Sequence, residues 1–330
     1  MKKIMIQYCT LLFIGLMFVA CQNEEKASKN DVQQVDPFEV PVANTGTAVA
    51  TNDQFGDPLY EIKLDSTFVA DKDTLLQKAI EEIENGNPDK GARTMLGRRY
   101  MELARYDEAL EVFTENINNN PGSLADHRFR GECYYYLQNF DAALSDLETA
   151  KELSKQLPNQ IEYEVDATSA NMPVYNQAFN TFYYLALTHY VTGDMEQAVR
   201  SFGYAWNNAA NDDLRSMLAC WIAICYRKQS MEGQAKAVLQ DVTPEMQTIQ
   251  SPVYKDMAMM FKGYMSTDGM LEKYKDLSIQ DFQISRFGVG MWYLLDKQPD
   301  KAKPLFEEII ETKLWNTDIY PVTQFELNKL

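Results

Sequence analysis

Leu96-Gly97-Arg98-Arg99-Tyr100, followed by Tyr106-Asp107-Glu108-Ala109-Leu110, is the stretch of sequence that decides the fold. The same pattern returns 34 residues later as Gly131-Glu132-Cys133-Tyr134 and Phe140-Asp141-Ala142-Ala143-Leu144. A period of this length predicts that each copy is one supersecondary unit that cannot bury its apolar face alone. Neighbouring copies are therefore expected to stack and to bury a continuous core between them.

Small and large residues are spaced along this pattern in a way that indicates two antiparallel helices per copy. Gly97 and Ala109 would let the two helices approach closely. Tyr100 and Phe113 would fill the space beside these small residues. The pattern therefore predicts helix pairs with a dense apolar contact between the members of each pair.

Further copies follow with less regular spacing. Their second helices are marked by Ala198 with Phe202, Ala235 with Leu239, Met270 with Tyr274, and Ala302 with Phe306. The copy with Met270 lacks the small residue of its second helix and is degenerate. The interval from Ala143 to Ala198 is 55 residues, which places an insertion near residues 156–176. Such an insertion is either a specific binding element or a tolerated spacer. Apolar residues at helical spacing over Leu75–Ile83 predict a capping helix before the first copy.

The spacing from Leu96-Gly97 through Ala109 and Phe113 to Pro121 closely resembles the tetratricopeptide repeat. The resemblance implies an all-α fold, a right-handed α-α superhelical solenoid of helix pairs over residues 59–330. It further implies about five clear repeats and one degenerate repeat.

Residues 1–20 have the features of a targeting segment. Two basic residues precede an apolar run that ends with a small residue before Cys21. Phe18-Val19-Ala20-Cys21 resembles a bacterial lipobox, which implies that residues 1–20 are a lipoprotein signal peptide and that the Cys21 thiol carries a lipid. An ordinary secretory signal with an incidental cysteine is the alternative. Residues 21–58 are polar and contain several Pro and Gly, which predicts a flexible tether.

The same resemblance implies a location. Gln22 stands where an Asp would resemble an inner-membrane retention signal. The expected location is therefore the outer membrane of a bacterial cell envelope, with the periplasmic and the surface face both open.

Composition argues against several functional classes. The chain has 48 Asp plus Glu against 31 Lys plus Arg and a net charge of −17, so it is not expected to bind nucleic acid. Its 2 His and 5 Cys have no ligand spacing for a metal site. No Gly-rich phosphate loop or nucleophile elbow is present in the sequence, so neither a cofactor nor an enzymatic activity is expected.

The resemblance also implies a concave groove, lined by four positions of each first helix. Carried over by position, its charged and aromatic residues include Arg98, Arg128, Glu132, Tyr135, Tyr183, Tyr190, Arg227, Lys255 and Lys262. Basic residues dominate this set, the reverse of the balance in the whole chain. Such a groove would attract and orient an acidic ligand, and its tyrosines would supply rigid contacts. The alternative is that this set of residues reflects chance, together with errors in the register assigned to some of the copies.

The sequence thus predicts a membrane-anchored scaffold without enzymatic activity that binds a peptide or protein partner, acidic in character, in this basic and aromatic groove. Two alternatives remain open. One is a subunit of an outer-membrane assembly machine, similar to the tetratricopeptide lipoprotein of the β-barrel assembly complex. The other is a glycan-capturing SusD-like lipoprotein.

Overall fold

The computed structural model of the chain describes residues 48–52, 58–86, 90–156, 161–162 and 175–330, which all belong to one compact unit. The predicted signal peptide, Cys21 and most of the predicted tether lie outside the described residues. Most of the predicted insertion near residues 156–176 also lies outside them.

Fourteen α-helices form in the described part of the chain. The first, α1, spans Ser66–Glu84 and packs on the first of six helix pairs. The pairs are α2 Lys90–Glu102 with α3 Tyr106–Asn119, α4 Leu124–Tyr136 with α5 Phe140–Ser154, α6 Gln177–Val191 with α7 Met195–Trp206, α8 Asp212–Lys228 with α9 Glu232–Gln240, α10 Val253–Phe261 with α11 Thr267–Lys273, and α12 Ile279–Leu295 with α13 Pro299–Glu311. A last helix, α14, spans Ile319–Leu327. Each pair packs on the next, so the prediction of an all-α solenoid of helix pairs is confirmed.

All six pairs, numbered here as copies one to six, share one turn geometry. A residue with a positive φ of 55° to 87° follows the first helix: Ala104, Gln138, Gly193, Ser230, Gly263 and Lys297. The next residue donates its N–H to the carbonyl five positions earlier, at 2.8 to 2.9 Å, as Arg105 does to Tyr100. This hydrogen bond satisfies a carbonyl that the end of the helix would leave without a partner. The turn identifies the pairs as copies of one unit although four of the six residues are not glycine.

The close approach predicted within a pair is present. A Cβ at Gly97 would lie 2.5 Å from the ring of Phe113, and in copy six a Cβ at Gly290 would lie 2.3 Å from the ring of Phe306. Both rings are fully buried. The repeat pattern therefore encodes a contact between the backbone of one helix and an aromatic ring of the next.

Two short antiparallel hairpins accompany the helices. Strand β1, Ala48–Asn52, pairs with β2, Pro58–Tyr60. Strand β3, Ile161–Glu162, pairs with β4, Tyr175–Asn176, at the two edges of the predicted insertion.

The beginning and the end of the repeat stack contact each other. Trp315, which follows α13, donates its indole N–H to the Tyr60 carbonyl at 2.6 Å. The Lys313 ammonium lies 4.2 Å from the centre of the Tyr60 ring. The Trp315 ring also packs on Tyr106 of α3, with ring centres 5.2 Å apart. These contacts hold the connection to α14 beside copy one.

Candidate functional site

The C-terminal helix α14 lies against the first helices of the repeats. Its residues Ile319–Glu326 are buried, and it packs on α6, α12 and α13. Helix α14 is buried on every face, so it belongs to the core. Each large apolar side chain that it buries contributes about 1.5–3 kcal/mol to the stability of the fold. The surface of α4, α6 and α8 that contacts α14 and the preceding Asp318 is called the inner face below.

Four tyrosines of the inner face, called the tyrosine cluster below, hold Asp318 at the start of α14. They are Tyr135 and Tyr136 of α4 and Tyr183 and Tyr184 of α6. Tyr135 donates its hydroxyl hydrogen to the Asp318 main-chain carbonyl at 2.8 Å. The other three donate to the Asp318 carboxylate at 3.0 to 3.2 Å. The cluster thus fixes both the backbone and the side chain of one residue.

A second acidic residue, which lies within α14, is held by a hydroxyl and a cation. Glu326 is 1% exposed and accepts a hydrogen bond from the Tyr190 hydroxyl of α6. Its Oε2 lies 2.6 Å from the Lys228 ammonium of α8. The opposite charges compensate each other where little water remains. The inner face therefore binds two acidic residues, Asp318 and Glu326, that belong to the same chain.

Burial changes the proton affinity of the groups around Asp318. It raises the pKa of the Asp318 carboxyl, although the hydrogen bonds from three tyrosines oppose the shift. Burial, together with the nearby Asp318 charge, raises the pKa of Tyr135 and Tyr183 well above the ordinary value for tyrosine. These hydroxyls therefore stay protonated at neutral pH and act as hydrogen-bond donors, not as bases.

The prediction that Tyr135, Tyr183 and Tyr190 line an open groove is wrong. Each is at most 3% exposed, and α14 or Asp318 accepts a hydrogen bond from each hydroxyl. The family's positions do place these side chains on the inner side of the stack. The sequence argument failed because it did not include the C-terminal helix that fills this side.

The three arginines predicted for the groove form ion pairs within the chain. The pairs are Arg98 with Glu102, Arg128 with Glu132, and Arg227 with Asp296. Arg128 is also buried, with its guanidinium carbon 3.4 Å from the centre of the Phe129 ring. A buried arginine that stacks on a ring and pairs with a carboxylate stabilises local structure more than it attracts a ligand. Arg128 and Glu132 therefore do not form an open surface with the tyrosines.

Lys255 and Lys262 line an open cavity of about 820 Å³ beside α10, called the lysine cavity below. Other lining residues are Met259, Thr243, Pro244 and Tyr264. The Lys255 ammonium donates to the Met246 carbonyl at 3.0 Å, and the Lys262 ammonium donates to the Val242 carbonyl at 2.8 Å. An ammonium has three N–H donors, so each lysine has the capacity to bind a ligand as well.

The lysine cavity is lined by the end of α9, by the loop that joins α9 to α10, by α10 and by the turn that follows α10, in the two copies whose second helices are short. Helix α9 has 9 residues and α11 has 7, whereas the second helices of the other copies have 12 to 15. At the turn into α11, the Tyr264 side chain is 75% exposed, and the Lys262 ammonium lies 5.5 Å from the centre of its ring. The surface therefore opens at the copy that the sequence identifies as degenerate and at its neighbour.

Sequence reasoning missed Asp318, Glu326 and Tyr264. A signal for the first two was present in the adjacent tyrosines of α4 and α6, because buried tyrosine hydroxyls need an acceptor on another segment. Tyr264 gave no signal, since the pattern does not define the register of a degenerate turn.

The described residues hold no His, Cys, Asp and Glu group that is placed to bind a metal ion. None of the helices in the described ranges has the length and apolar character needed to cross a membrane. The thiols of Cys133, Cys220 and Cys225 are free and buried, and burial raises their pKa. They pack as small apolar residues.

Comparison with known proteins yields fold neighbours alone. The chain matches no protein-family profile and no curated protein. Among solved structures, it is similar to MamA MSR-1 C2, with 20% identity over 51% of this chain and 86% of that chain and a TM-score of 0.36. It is also similar to YrrB, described as a TPR protein with an unusual peptide-binding site, with 12% identity over 77% of this chain and 98% of that chain and a TM-score of 0.41.

The repeat assignment rests on the chain's own geometry. Six consecutive helix pairs share one turn, and the glycine-to-ring contact of Gly97 with Phe113 recurs at Gly290 with Phe306. By the geometry of its described residues, the chain has a fold of repeated helix pairs similar to that of tetratricopeptide-repeat proteins.

Proposed function

We propose that the protein is a scaffold without enzymatic activity, held at the bacterial cell envelope by a lipid on Cys21, and that it binds an acidic segment of a protein partner. The lysine cavity is the observation that carries this proposal. It places Lys255 and Lys262 beside an open space in a chain of net charge −17. Two carboxylates also line the cavity, but Asp256 is paired with Lys273 and Glu245 accepts a hydrogen bond from Thr243. An acidic partner is repelled by most of the surface and is attracted by the two lysines.

The other lining residues suit a protein ligand. Met265, a half-buried lining residue, offers a flexible apolar side chain that adapts to different ligands. Tyr264 offers a large ring at the rim, and exposed tyrosines beside a cavity are frequent anchors in protein interfaces.

Site-directed photocrosslinking in cells tests the proposal. A photoreactive phenylalanine derivative in place of Tyr264 is expected to crosslink one partner protein, through a segment rich in Asp and Glu. The same group in place of Tyr204, which is also exposed and lies on α7, is the matched control and is expected to give no such product. Equal crosslinking from both positions, or none from position 264, contradicts a partner site at the cavity.

The anchor is tested on the same material. The wild-type protein is expected to stay with the membrane fraction after washing in plain buffer. Cys21→Ser removes the thiol that would carry the lipid, and the variant is expected to appear in the soluble fraction. Membrane retention of this variant contradicts the lipid anchor, whether or not the crosslink forms.

A further inference from the structure

We infer that Asp213, which does not line the lysine cavity, is a positioning residue for the ligand site there. It fixes the loop that joins α9 to α10, residues 241–252, and this loop fixes the ammonium groups of Lys255 and Lys262. The inference rests on the proposed function, since it concerns binding at the same cavity. It adds a residue outside the cavity on which that binding depends.

The second half of the loop is bound to the start of α8. Asp213 lies in the first turn of α8 and is 8% exposed. Its carboxylate accepts the main-chain N–H groups of three loop residues, Ile249 at 2.7 Å, Gln250 at 3.1 Å and Ser251 at 3.3 Å. Hydrogen bonds to an ionised group are stronger than neutral ones, and a buried donor that loses its acceptor is costly. Asp213 is therefore the main attachment of the loop to α8.

Two further contacts extend this attachment along the loop. Asp212, the neighbour of Asp213 on α8, accepts the Gln247 main-chain N–H at 2.9 Å. The Ser216 hydroxyl, one turn further along α8, donates to the Met246 sulfur at 3.5 Å. The main chain of the loop is thus held from residue 246 to residue 251, and the position of the Met246 carbonyl is set with it.

The two lysines of the cavity donate to the loop that is held in this way. The Lys255 ammonium donates to the Met246 carbonyl at 3.0 Å, and the Lys262 ammonium donates to the Val242 carbonyl at 2.8 Å. Each ammonium has two further N–H donors that can bind a ligand. A lysine side chain loses conformational freedom when it is held in one place, and here a part of this loss has occurred before a ligand binds. The loop therefore preorganises the positive charges of the cavity.

A loosened loop would also change the charge at the cavity. Glu245 is exposed, belongs to the loop and lines the cavity together with Lys262. Its carboxylate accepts a hydrogen bond from Thr243 of the same loop. Without the attachment at Asp213, Glu245 is free to move towards Lys262 and to pair with it. Mobile lysines and a competing carboxylate both weaken the binding of an acidic segment.

Acetylation rates of individual lysines test the inference on the purified protein. The reagent is the N-hydroxysuccinimide ester of acetic acid in low amount, and peptide mass spectrometry follows each lysine. A lysine reacts through the free lone pair of its nitrogen, so a carbonyl that holds its ammonium slows the reaction. Asp213→Ala is expected to speed the acetylation of Lys255 and Lys262 about fivefold, the effect of one lost hydrogen bond. The rate at Lys275, an exposed lysine that follows α11, is expected to stay unchanged.

Asp213→Asn is the second variant, because it retains one oxygen acceptor and disturbs the fold less. It is expected to speed the acetylation by a smaller factor, and it replaces Asp213→Ala in every measurement if circular dichroism shows that the latter does not fold. Asp126→Asn is the matched control, since Asp126 is a buried carboxylate in the first turn of α4 that binds Thr94 and Asn116 instead of the loop. Unchanged rates in the Asp213 variants, or an equal increase in Asp126→Asn, overturn the inference.

The crosslink from position 264 separates this inference from the proposed function. Its yield is expected to fall about fivefold with Asp213→Ala and to stay unchanged with Asp126→Asn. An unchanged yield with Asp213→Ala contradicts the positioning role and leaves the partner site in place. Absence of the crosslink with an otherwise wild-type chain defeats the proposed function, whereas unchanged acetylation beside a normal crosslink defeats the inference alone.

Discussion

The inner face and the lysine cavity are two parts of one predicted groove, and they differ in what covers them. Tyr135, Tyr183 and Tyr190 are covered by α14 and the preceding Asp318, which accept their hydroxyl hydrogen bonds. Lys255 and Lys262 border open space beside the loop that joins α9 to α10. Position within a repeat therefore indicates where a side chain points, but the neighbours in space determine whether a ligand can reach it.

The difference also concerns charge. The inner face binds acidic residues that are fixed in the same chain, so substitutions there are expected to change stability. The lysine cavity is proposed to prefer acidic groups too, but only backbone carbonyls accept the lysine hydrogen bonds that its geometry defines. One region is therefore expected to respond to substitution in its stability, and the other in its binding.

Truncation of one aromatic side chain in each region tests this contrast most strongly. Phe325 of α14 is buried and packs on Tyr190, with ring centres 5.8 Å apart. Phe325→Ala is expected to lower the free energy of unfolding by about 4 kcal/mol, since it leaves a cavity in the core. Tyr264→Ala at the lysine cavity is expected to change it by less than about 0.5 kcal/mol.

Urea unfolding of both variants, followed by far-UV circular dichroism, measures the two effects. Similar small losses for Phe325→Ala and Tyr264→Ala would show that α14 is not part of the core. The inner face would then be accessible to partners, and the distinction between the two regions would fail.

The repeat fold was predictable because its information is local. The contact of Gly97 with Phe113 and the six helix pairs follow from residues within one period of each other. The filling of the inner face was not predictable in this way. It depends on Asp318 and Glu326, which lie far along the chain from the tyrosines that they contact.

The same reasoning explains the partial success with the lysines. Lys255 and Lys262 share a helical face, which the sequence alone indicates. The sequence does not indicate where α9 ends and where the loop that lines the cavity begins, because helix ends cannot be located exactly from a sequence pattern.

A comparison of two carboxyl groups is expected to give the next largest effect. Burial tends to raise the pKa of Asp146 on α5, but hydrogen bonds from Arg130 and His127 and the charge of Arg130 outweigh it and lower the pKa. Asp318 lies on the inner face without an ion pair among the described residues, and burial raises its pKa. One ionised carboxylate therefore stabilises the fold, and the other one opposes it.

The signs of the two pH effects are opposite. Asp146 contributes to the free energy of unfolding above about pH 3.9, the pKa of this group in the unfolded chain. This contribution is lost as the pH falls through its lower pKa in the folded protein. Asp318 contributes to the free energy of unfolding below about pH 3.9, where the carboxyl is protonated in both states. This contribution is lost as the pH rises through the raised pKa of Asp318 in the folded protein. Asp146→Asn is expected to cost about 3 kcal/mol at neutral pH, because it leaves Arg130 without its partner.

Urea midpoints across the acidic to neutral range measure both variants. The stability of Asp318→Asn relative to the wild type is expected to increase as the pH rises from about 4 to about 7. A decrease over that range would mean that the tyrosine hydrogen bonds outweigh burial and that the inner face favours the ionised carboxylate.

The smallest effect on stability is expected at two glycines, one packed against a neighbouring side chain and the other with no atom nearby. A Cβ at Gly97 would lie 2.5 Å from the buried Phe113 ring, so Gly97→Ala is expected to cost about 2 kcal/mol through overpacking. A Cβ at Gly203, within α7, would meet no atom within 4 Å. Gly203→Ala is therefore expected to gain up to about 1 kcal/mol from helix propensity.

Thermal midpoints should shift in opposite directions, because one glycine is required by a neighbour and the other is not. A loss of similar size at both positions would show that the close contact at Gly97 does not set the repeat geometry.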